Sequence, residues 1–201
     1  MKILRWLMIA LSCPCQPALP QPESSAKSYA VESVLKVLGD LWDYHRNRQR
    51  RGGQEIGFEI PELVVNQYLA YSFKAKPRPG IKSAKIRLLP ANELDLSLVL
   101  DLDAVKGWDP AAVPKKLGKV PLDNALFQVK CGFQIADNRL TYKIHSAVAG
   151  DEPISNAAFQ RIAETLAARQ PEQFDLTKPL PIPLGLRRLW TTDKVLGGST
   201  Q

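Results

Sequence analysis

Alternation of leucines with polar residues in the middle of the chain is the feature that most constrains the fold. Over residues 93–103 every even-numbered position is leucine. The positions between the leucines are acidic or serine, and Val99 is the one apolar residue among them. Successive side chains of a strand point to opposite faces. The pattern therefore predicts a β-strand with one dry and one wet face, and residues 81–88, 126–135 and 140–148 repeat it.

The short segments between these strands predict antiparallel pairing. Few residues separate 81–88 from 93–103, and Asp137 and Asn138 suit a tight turn before 140–148. In that last strand the alternation assigns four residues to the dry face: Leu140, Tyr142, Ile144 and Val148. The period is lost over residues 106–123, which we interpret as a long loop, and loops of that length are often functional.

Three segments with apolar residues at helical spacing predict helices over residues 28–51, 61–74 and 155–169. The first is the longest, and its apolar stripe consists of Val31, Val34, Leu35, Leu38, Leu41 and Trp42. Four arginines follow near its end, Arg46, Arg48, Arg50 and Arg51. Residues 180–199 predict a final short hairpin.

The order of these elements predicts an α+β fold. Strands and helices do not alternate along the chain, so a parallel sheet is excluded. We predict one strongly curved antiparallel sheet wrapped around the long N-terminal helix, with two further helices, because a flat sheet cannot enclose a helix. The 201-residue length agrees with one domain, which we place at residues 27–201.

Residues 1–26 have the features of a secretory signal peptide. Lys2 and Arg5 precede an apolar run that is shorter than the roughly 20 residues of a membrane span. We therefore expect a periplasmic or secreted protein, with a lipid anchor at Cys13 as an open alternative. After cleavage only Cys131 remains, so the mature chain cannot form an internal disulfide.

Residues 60–71, Ile-Pro-Glu-Leu-Val-Val-Asn-Gln-Tyr-Leu-Ala-Tyr, carry a resemblance to a known group of proteins. They resemble a helix that reads roughly E-L-N-x-Y-L-A in bacterial single-module envelope relatives of the tubular lipid-binding superfamily, which includes the bactericidal/permeability-increasing proteins. Further similarities follow in chain order over most of residues 28–201. They are a strand that begins with Gly80, a leucine-rich hairpin at 94–104, a helix start at Pro153-Ile154-Ser155, and a Pro-rich segment at 179–188.

This resemblance implies a curved sheet on a long helix, with an apolar groove that holds acyl chains. It also implies a binding protein, and it transfers no catalytic residue. Two features depart from the family pattern: the basic end of the first helix, at residues 46–51, and the loop that contains Trp108.

Candidate ligand-binding residues are the apolar side chains of the dry face together with two residues of the first helix. Mostly apolar walls are typical of a lipid pocket, although an ordinary filled core has the same composition. The candidates are Leu38, Trp42, Leu96, Leu98, Leu100, Phe127, Val129, Phe133, Tyr142 and Ile144. Contacts to lipid headgroups or a membrane surface are expected from Arg46, Arg48, Arg50, Arg51 and Trp108, with solvated arginines and simple packing of Trp108 as the alternatives.

Several function classes find no support in the sequence. G-x-S-x-G, HExxH, Walker and dinucleotide-binding motifs are absent, and His45 and His145 stand alone, so we expect no enzyme, metal or cofactor. Asp101 and Asp103 are interpreted as a solvated strand face. The net charge of +7 is modest, and aromatic residues do not interleave with the basic run, so no nucleic acid is expected.

We therefore expect an exported envelope protein that binds a lipid or another long apolar ligand in a groove between sheet and helix, with lipid transport as one role that such binding would serve. The alternative is an interaction or scaffold module with a filled core, whose partner contacts residues 106–123. A third option is a hydrolase in which a Ser or Asp converges with His145 or His45. The sequence leaves the oligomeric state open.

Overall fold

The computed structural model describes residues 29–47, 55–114, 117, 120–136, 139–170 and 178–200. Several predictions lie outside the described residues: the signal peptide, Cys13, Arg48, Arg50, Arg51 and the Asp137-Asn138 turn. The described part of the chain is α+β, with antiparallel strands throughout.

Four helices and nine strands make up the described part of the chain. The helices are α1 (Tyr29–Asn47), α2 (Glu62–Ala75), α3 (Leu102–Trp108) and α4 (Asn156–Ala168). The strands are β1 (Gly57–Pro61), β2 (Ile81–Leu89), β3 (Glu93–Leu100), β4 (Ala125–Ala136), β5 (Arg139–Ala149), β6 (Glu152–Ile154), β7 (Leu180–Pro181), β8 (Arg188–Thr192) and β9 (Val195–Ser199). A short 3₁₀ turn, Pro183–Gly185, precedes β8.

The strands form two sheets, whereas we predicted one. The larger sheet contains β2, β3, β4, β5 and β6 side by side in chain order, and β7 pairs with the first two residues of β5. The predicted terminal hairpin, β8–β9, is present, but β1 joins it to make a separate three-stranded sheet in the order β1-β9-β8. Sequence periodicity identifies strands but does not say which distant strand pairs with which, so the second sheet was missed.

The alternation over β3 has the predicted consequence. Leu94, Leu96 and Leu98 are buried on one face, and Glu93, Asp95 and Ser97 lie on the other. The strand ends earlier than predicted, at Leu100. The reason is Asp101, whose carboxylate accepts a hydrogen bond from the amide of Ala104 at 2.9 Å and so caps helix α3.

Helix α3 corrects two predictions. Asp101 and Asp103 do not share a strand face, because one caps the helix and the other lies in its first turn. Lys106 to Trp108 are helical, so the predicted loop over residues 106–123 begins only after Trp108. Only two residues of this seven-residue helix are buried, Leu102 and Val105, which is too few for a periodic signal.

Strand β5 contains a bulge that reverses one assignment. Lys130 pairs with Ser146 while Cys131 pairs with Ile144, so His145 is the extra residue. Val148 therefore lies opposite Gln128 on the wet face, which corrects its predicted dry position. Ala147 and Ala149 are buried on the dry face instead.

Helix α2 closes the free edge of β2 with polar side chains. The amide of Asn66 donates to the carbonyl of Ile86 at 2.7 Å and accepts from its N–H at 2.8 Å. One helical turn earlier, Glu62 accepts from the N–H of Leu88 at 2.6 Å. Four helical residues rise about 6 Å and two strand residues about 6.6 Å, so the two spacings match.

The same corner joins the two sheets. The N–H of Lys194 donates to the carbonyl of Leu88 at 3.2 Å, and the carbonyl of Lys194 accepts from the N–H of Glu62 at 2.8 Å. Asn92, in the β2–β3 turn with a φ of 63°, accepts from the N–H of Thr191 at 2.9 Å. Asn adopts this left-handed conformation more readily than most residues, so the turn residue suits both roles.

Helix α1 packs mainly against α2 and the 3₁₀ turn. Its buried residues are Ala30, Val31, Val34, Leu41 and Tyr44. Helix α4 begins after Ser155, whose hydroxyl accepts from the amide of Ala158 at 3.2 Å, as the sequence predicted. Helix α2 begins one residue later than predicted, with Pro61 as its extended N-cap.

We expect Asn66→Leu to lower the free energy of unfolding by about 2–3 kcal/mol, because both backbone groups of Ile86 lose their partner. Gln67→Leu is the matched control, since Gln67 is the next residue of the same helix and is exposed. Urea unfolding measures both variants. An equal change in the two would contradict the proposed role of Asn66 at the β2 edge.

Glycines in β9 make room for aromatic rings. A Cβ at Gly197 would lie 2.2 Å from the Trp190 ring, and a Cβ at Gly198 would lie 2.5 Å from Phe58.

We expect Gly197→Ala to destabilise the protein by about 1–3 kcal/mol through overpacking. Gly57→Ala, in the same sheet with only a 3.9 Å contact, serves as the control in thermal unfolding.

Candidate functional site

The predicted ligand-binding residues of β3 and β4 form the buried floor of the large sheet. Six of them are no more than 5% exposed: Leu96, Leu98, Leu100, Phe127, Val129 and Phe133. The Phe127 ring lies 5.7 Å from that of Phe159 in α4, so this helix covers the middle of the floor. These residues pack in one apolar cluster with side chains of all four helices.

Burial of the dry face is incomplete at several positions of β4, β5 and β6. Four inward-facing residues there are only half-buried, Ile135, Tyr142, Ile144 and Ile154, and we call this strip the apolar mouth. All four still contact the core cluster. Apolar surface thus runs continuously from the buried floor to solvent.

Helix α4 borders the apolar mouth with polar groups. The Tyr142 hydroxyl donates to Gln160 at 3.4 Å, and the Asn156 amide donates to the carbonyl of Ile144 at 3.2 Å. Of the mouth residues, the sequence predicted Tyr142 and Ile144 as candidates. Ile135 and Ile154 were missed, although Ile135 belongs to the alternation of its strand and carried a usable signal.

The two candidates from the first helix lie apart from this strip. Leu38 is half-buried at the side of α1, and Trp42 is 44% exposed on the face that points away from the core. Arg46 is exposed in the last turn of the same helix.

Trp108 lies at the end of α3, where it is half-buried rather than displayed. The guanidinium of Arg169 lies 5.8 Å from its ring centroid. Gly80, with a φ of 74°, permits this packing, since a Cβ there would come within 3.0 Å of the Trp108 ring. The indole therefore packs between β2 and α4, as in the packing alternative.

A concavity lies on the wet face of the large sheet. It is an open cleft of about 370 Å³ between the β2–β3 turn and the β4–β5 hairpin. Gly132 lies at its floor, between Glu93 on β3 and Lys143 on β5. We call it the polar cleft.

The bulge in β5 turns His145 into the polar cleft. His145 Nε2 lies 3.0 Å from Glu93 Oε2, and the two side chains are 39% and 43% exposed. A Cβ on Gly132 would come within 2.5 Å of Glu93 and 3.2 Å of His145, so the missing side chain is what admits the pair. Sequence reasoning missed this site, although a lone glycine inside an alternating strand signals a close approach.

Cys131 lies under the polar cleft, on the dry face. Burial raises the pKa of its thiol to about 12, because the thiolate would lose its hydration. It therefore behaves as a small buried apolar residue, as the sequence indicated.

Clusters of metal ligands and membrane-spanning helices are both absent from the described residues. In the part of the chain that the structure describes, no three His, Cys, Asp or Glu side chains converge on a possible metal position. Among those same residues, none of the helices combines the length and the apolar character needed to cross a bilayer.

We expect Gly132→Ala to separate Glu93 from His145 while the fold persists. The new methyl group meets the flexible end of Glu93, and an ion pair this exposed contributes at most about 1 kcal/mol. The His145 ring resonances should shift in NMR spectra, and they should shift similarly in Glu93→Gln. Unchanged resonances in Gly132→Ala would show that the glycine does not control this contact.

Comparisons with known proteins do not place the chain in a family. No protein family, no curated protein and no solved structure matches the chain. What the protein does must therefore be argued from the apolar mouth, the polar cleft and the exposed faces of the helices.

Proposed function

We propose that the protein binds a lipid or another long apolar ligand at the apolar mouth, between the large sheet and α4. The supporting observation is the incomplete burial of the dry face, on which Phe127 is fully buried and Ile135 and Ile144 are only half-buried. An acyl chain on this strip would cover apolar surface that the folded chain leaves in contact with water.

The energetics favour a chain-like ligand. Burial of each CH₂ group contributes about 0.8 kcal/mol, so a single acyl chain offsets the roughly 4–15 kcal/mol loss of translational and rotational freedom. Polar groups at the rim would orient the polar end of the ligand. Tyr142 and Gln160 are the nearest such groups, because their side chains already meet beside the strip.

The wrapped arrangement belongs to the same proposal. In it the large sheet curves around the helices so that α1, α2 and α4 share one groove with its dry face, as in the tubular lipid-binding proteins that residues 60–71 resemble. Continuity of the apolar cluster from Val34 in α1 to Phe159 in α4 supports this arrangement. Binding requires no chemistry, so we propose a carrier or receptor and not an enzyme.

The proposed setting is the periplasm or the exterior, reached through the signal peptide at residues 1–26, with Cys13 as an optional lipid anchor. Arginines at the end of α1 and beyond it, Arg46, Arg48, Arg50 and Arg51, would contact anionic headgroups of the bilayer that supplies the ligand. Each such cation contributes about 1 kcal/mol near an anionic surface.

The second candidate function is an interaction module with a filled core. It is favoured by the nearly complete burial of Leu96, Phe127 and Val129, which leaves these predicted ligand residues in contact with protein atoms. In this case the partner would contact the residues after Trp108, and the apolar mouth would be part of a protein interface.

A pair of substitutions on one strand distinguishes the two candidates. We expect Ile144→Glu to reduce uptake of a fluorescent phospholipid by roughly tenfold or more, because a buried carboxylate in an apolar site costs several kcal/mol. Val148→Glu is the matched control, since Val148 is half-buried on the opposite face of β5. Lipid uptake by that variant should equal that of the unmodified protein.

A diazirine-labelled fatty acid gives a readout that does not depend on the stability of a variant. Cross-links should map to β5 and α4, near Tyr142 and Gln160. Native mass spectrometry of protein from its own host should show a bound lipid. Absence of co-purified lipid together with absence of uptake would overturn the lipid proposal and favour the interaction module.

A further inference from the structure

The outer face of α1 carries an uncovered surface centred on a glycine. Gly39 lies midway along this 19-residue helix, and no atom lies within 4 Å of where its Cβ would be. Leu35 and Trp42 flank it and are 37% and 44% exposed. Glycine in an exposed helix interior lowers the stability of the helix by about 1 kcal/mol relative to alanine. Close approach of a second backbone would explain its presence there.

The residues around Gly39 form an ordered pattern. Each residue turns an α-helix by about 100°, which places six exposed side chains within about 60° of Gly39. Leu35 and Trp42 lie on one flank, Lys36 and Asp43 lie on the other, and Glu32 and Arg46 lie near the centre line at the two ends. All six are exposed.

This pattern is complementary to itself under a two-fold rotation. In an antiparallel pair of helices that cross at Gly39, each residue before the glycine meets a residue on the same flank or the centre line whose distance after the glycine is equal or differs by one residue. Glu32 then meets Arg46 of the second copy, Leu35 meets Trp42, and Lys36 meets Asp43. A parallel two-fold pair would instead place Lys36 and Asp43 of each copy against the apolar flank of the other, which carries Leu35 and Trp42.

We propose that two copies of this protein associate through α1 as an antiparallel, two-fold symmetric pair centred on Gly39. Each of the three contacts occurs twice, and the absence of a side chain at position 39 lets the two backbones approach closely. In this dimer Arg46 pairs with Glu32 and not with a lipid headgroup. The inference does not depend on ligand binding at the apolar mouth, which lies on β4, β5 and β6.

The charges favour a second copy over the other plausible occupant, an anionic membrane surface. Glu32 and Asp43 lie on the same face as Leu35 and Trp42, and an anionic bilayer would repel both carboxylates. A second copy pairs them with Arg46 and Lys36. One helix pair buries less than the roughly 1,200–2,000 Å² of a standard interface, so a micromolar association that weakens with salt is expected.

A charge exchange tests the pairing of Lys36 with Asp43. Lys36→Asp and Asp43→Lys each place like charges together twice, and each should weaken self-association of the full chain by roughly tenfold in sedimentation equilibrium under reducing conditions. An equimolar mixture of the two variants restores opposite charges at both contacts. The mixture should therefore associate about as tightly as the unmodified protein.

A second variant tests the close approach at the glycine. Gly39→Arg should leave the protein monomeric with its thermal unfolding unchanged or improved, because the site is open in the monomer. Asp103→Arg is the control, since Asp103 is an exposed residue on a different helix. A monomeric unmodified protein at high micromolar concentration would overturn the proposal, as would a mixture no tighter than the single variants.

Discussion

The hydrogen bonds between α2 and the edge of β2 are the interaction on which the rest of the fold depends. An edge strand presents unpaired backbone groups that must be satisfied or protected. Here the side chains of Asn66 and Glu62 bond to the backbone of β2 in place of a neighbouring strand. The backbone N–H of Glu62 also donates to the carbonyl of Lys194, in the turn of the small sheet. Removal of these two side chains would leave the backbone groups of Ile86 and the N–H of Leu88 without the partners that α2 supplies.

Placement of α2 on that edge determines how the dry face is covered. With α2 fixed along β2, α4 covers β4 through Phe159 and packs on β5, while Tyr142, Ile144 and Ile154 remain half-buried. The apolar mouth therefore exists because α2 and α4 do not cover the full width of the dry face. In the interaction-module reading, the same exposed strip is the part of the core that a partner completes.

Local patterns were sufficient for much of the fold and insufficient for the site. The leucine alternation predicted the strand and its burial, and Ser155 predicted the start of a helix, because both signals act between neighbours in the chain. The second sheet, by contrast, depends on pairing between Gly57 and Ser199, and the polar cleft on three strands that meet at Gly132. Such contacts join residues far apart in sequence, which no single-segment pattern records. Asn66 is an intermediate case: the motif was visible, but its bond to Ile86 was not.

The extra residue in β5 acts as a phase correction. Before it, even-numbered residues such as Tyr142 and Ile144 face the core, and after it the odd-numbered Ala147 and Ala149 do. A slip of one residue reverses every side chain of a strand. Loss of the single codon for His145 would join Ile144 directly to Ser146, so the ladder would become regular while Ala147 and Ala149 keep facing the core. Natural single-residue deletions should therefore be tolerated better at this position than at its paired neighbours in β5, whose loss would reverse one half of the strand.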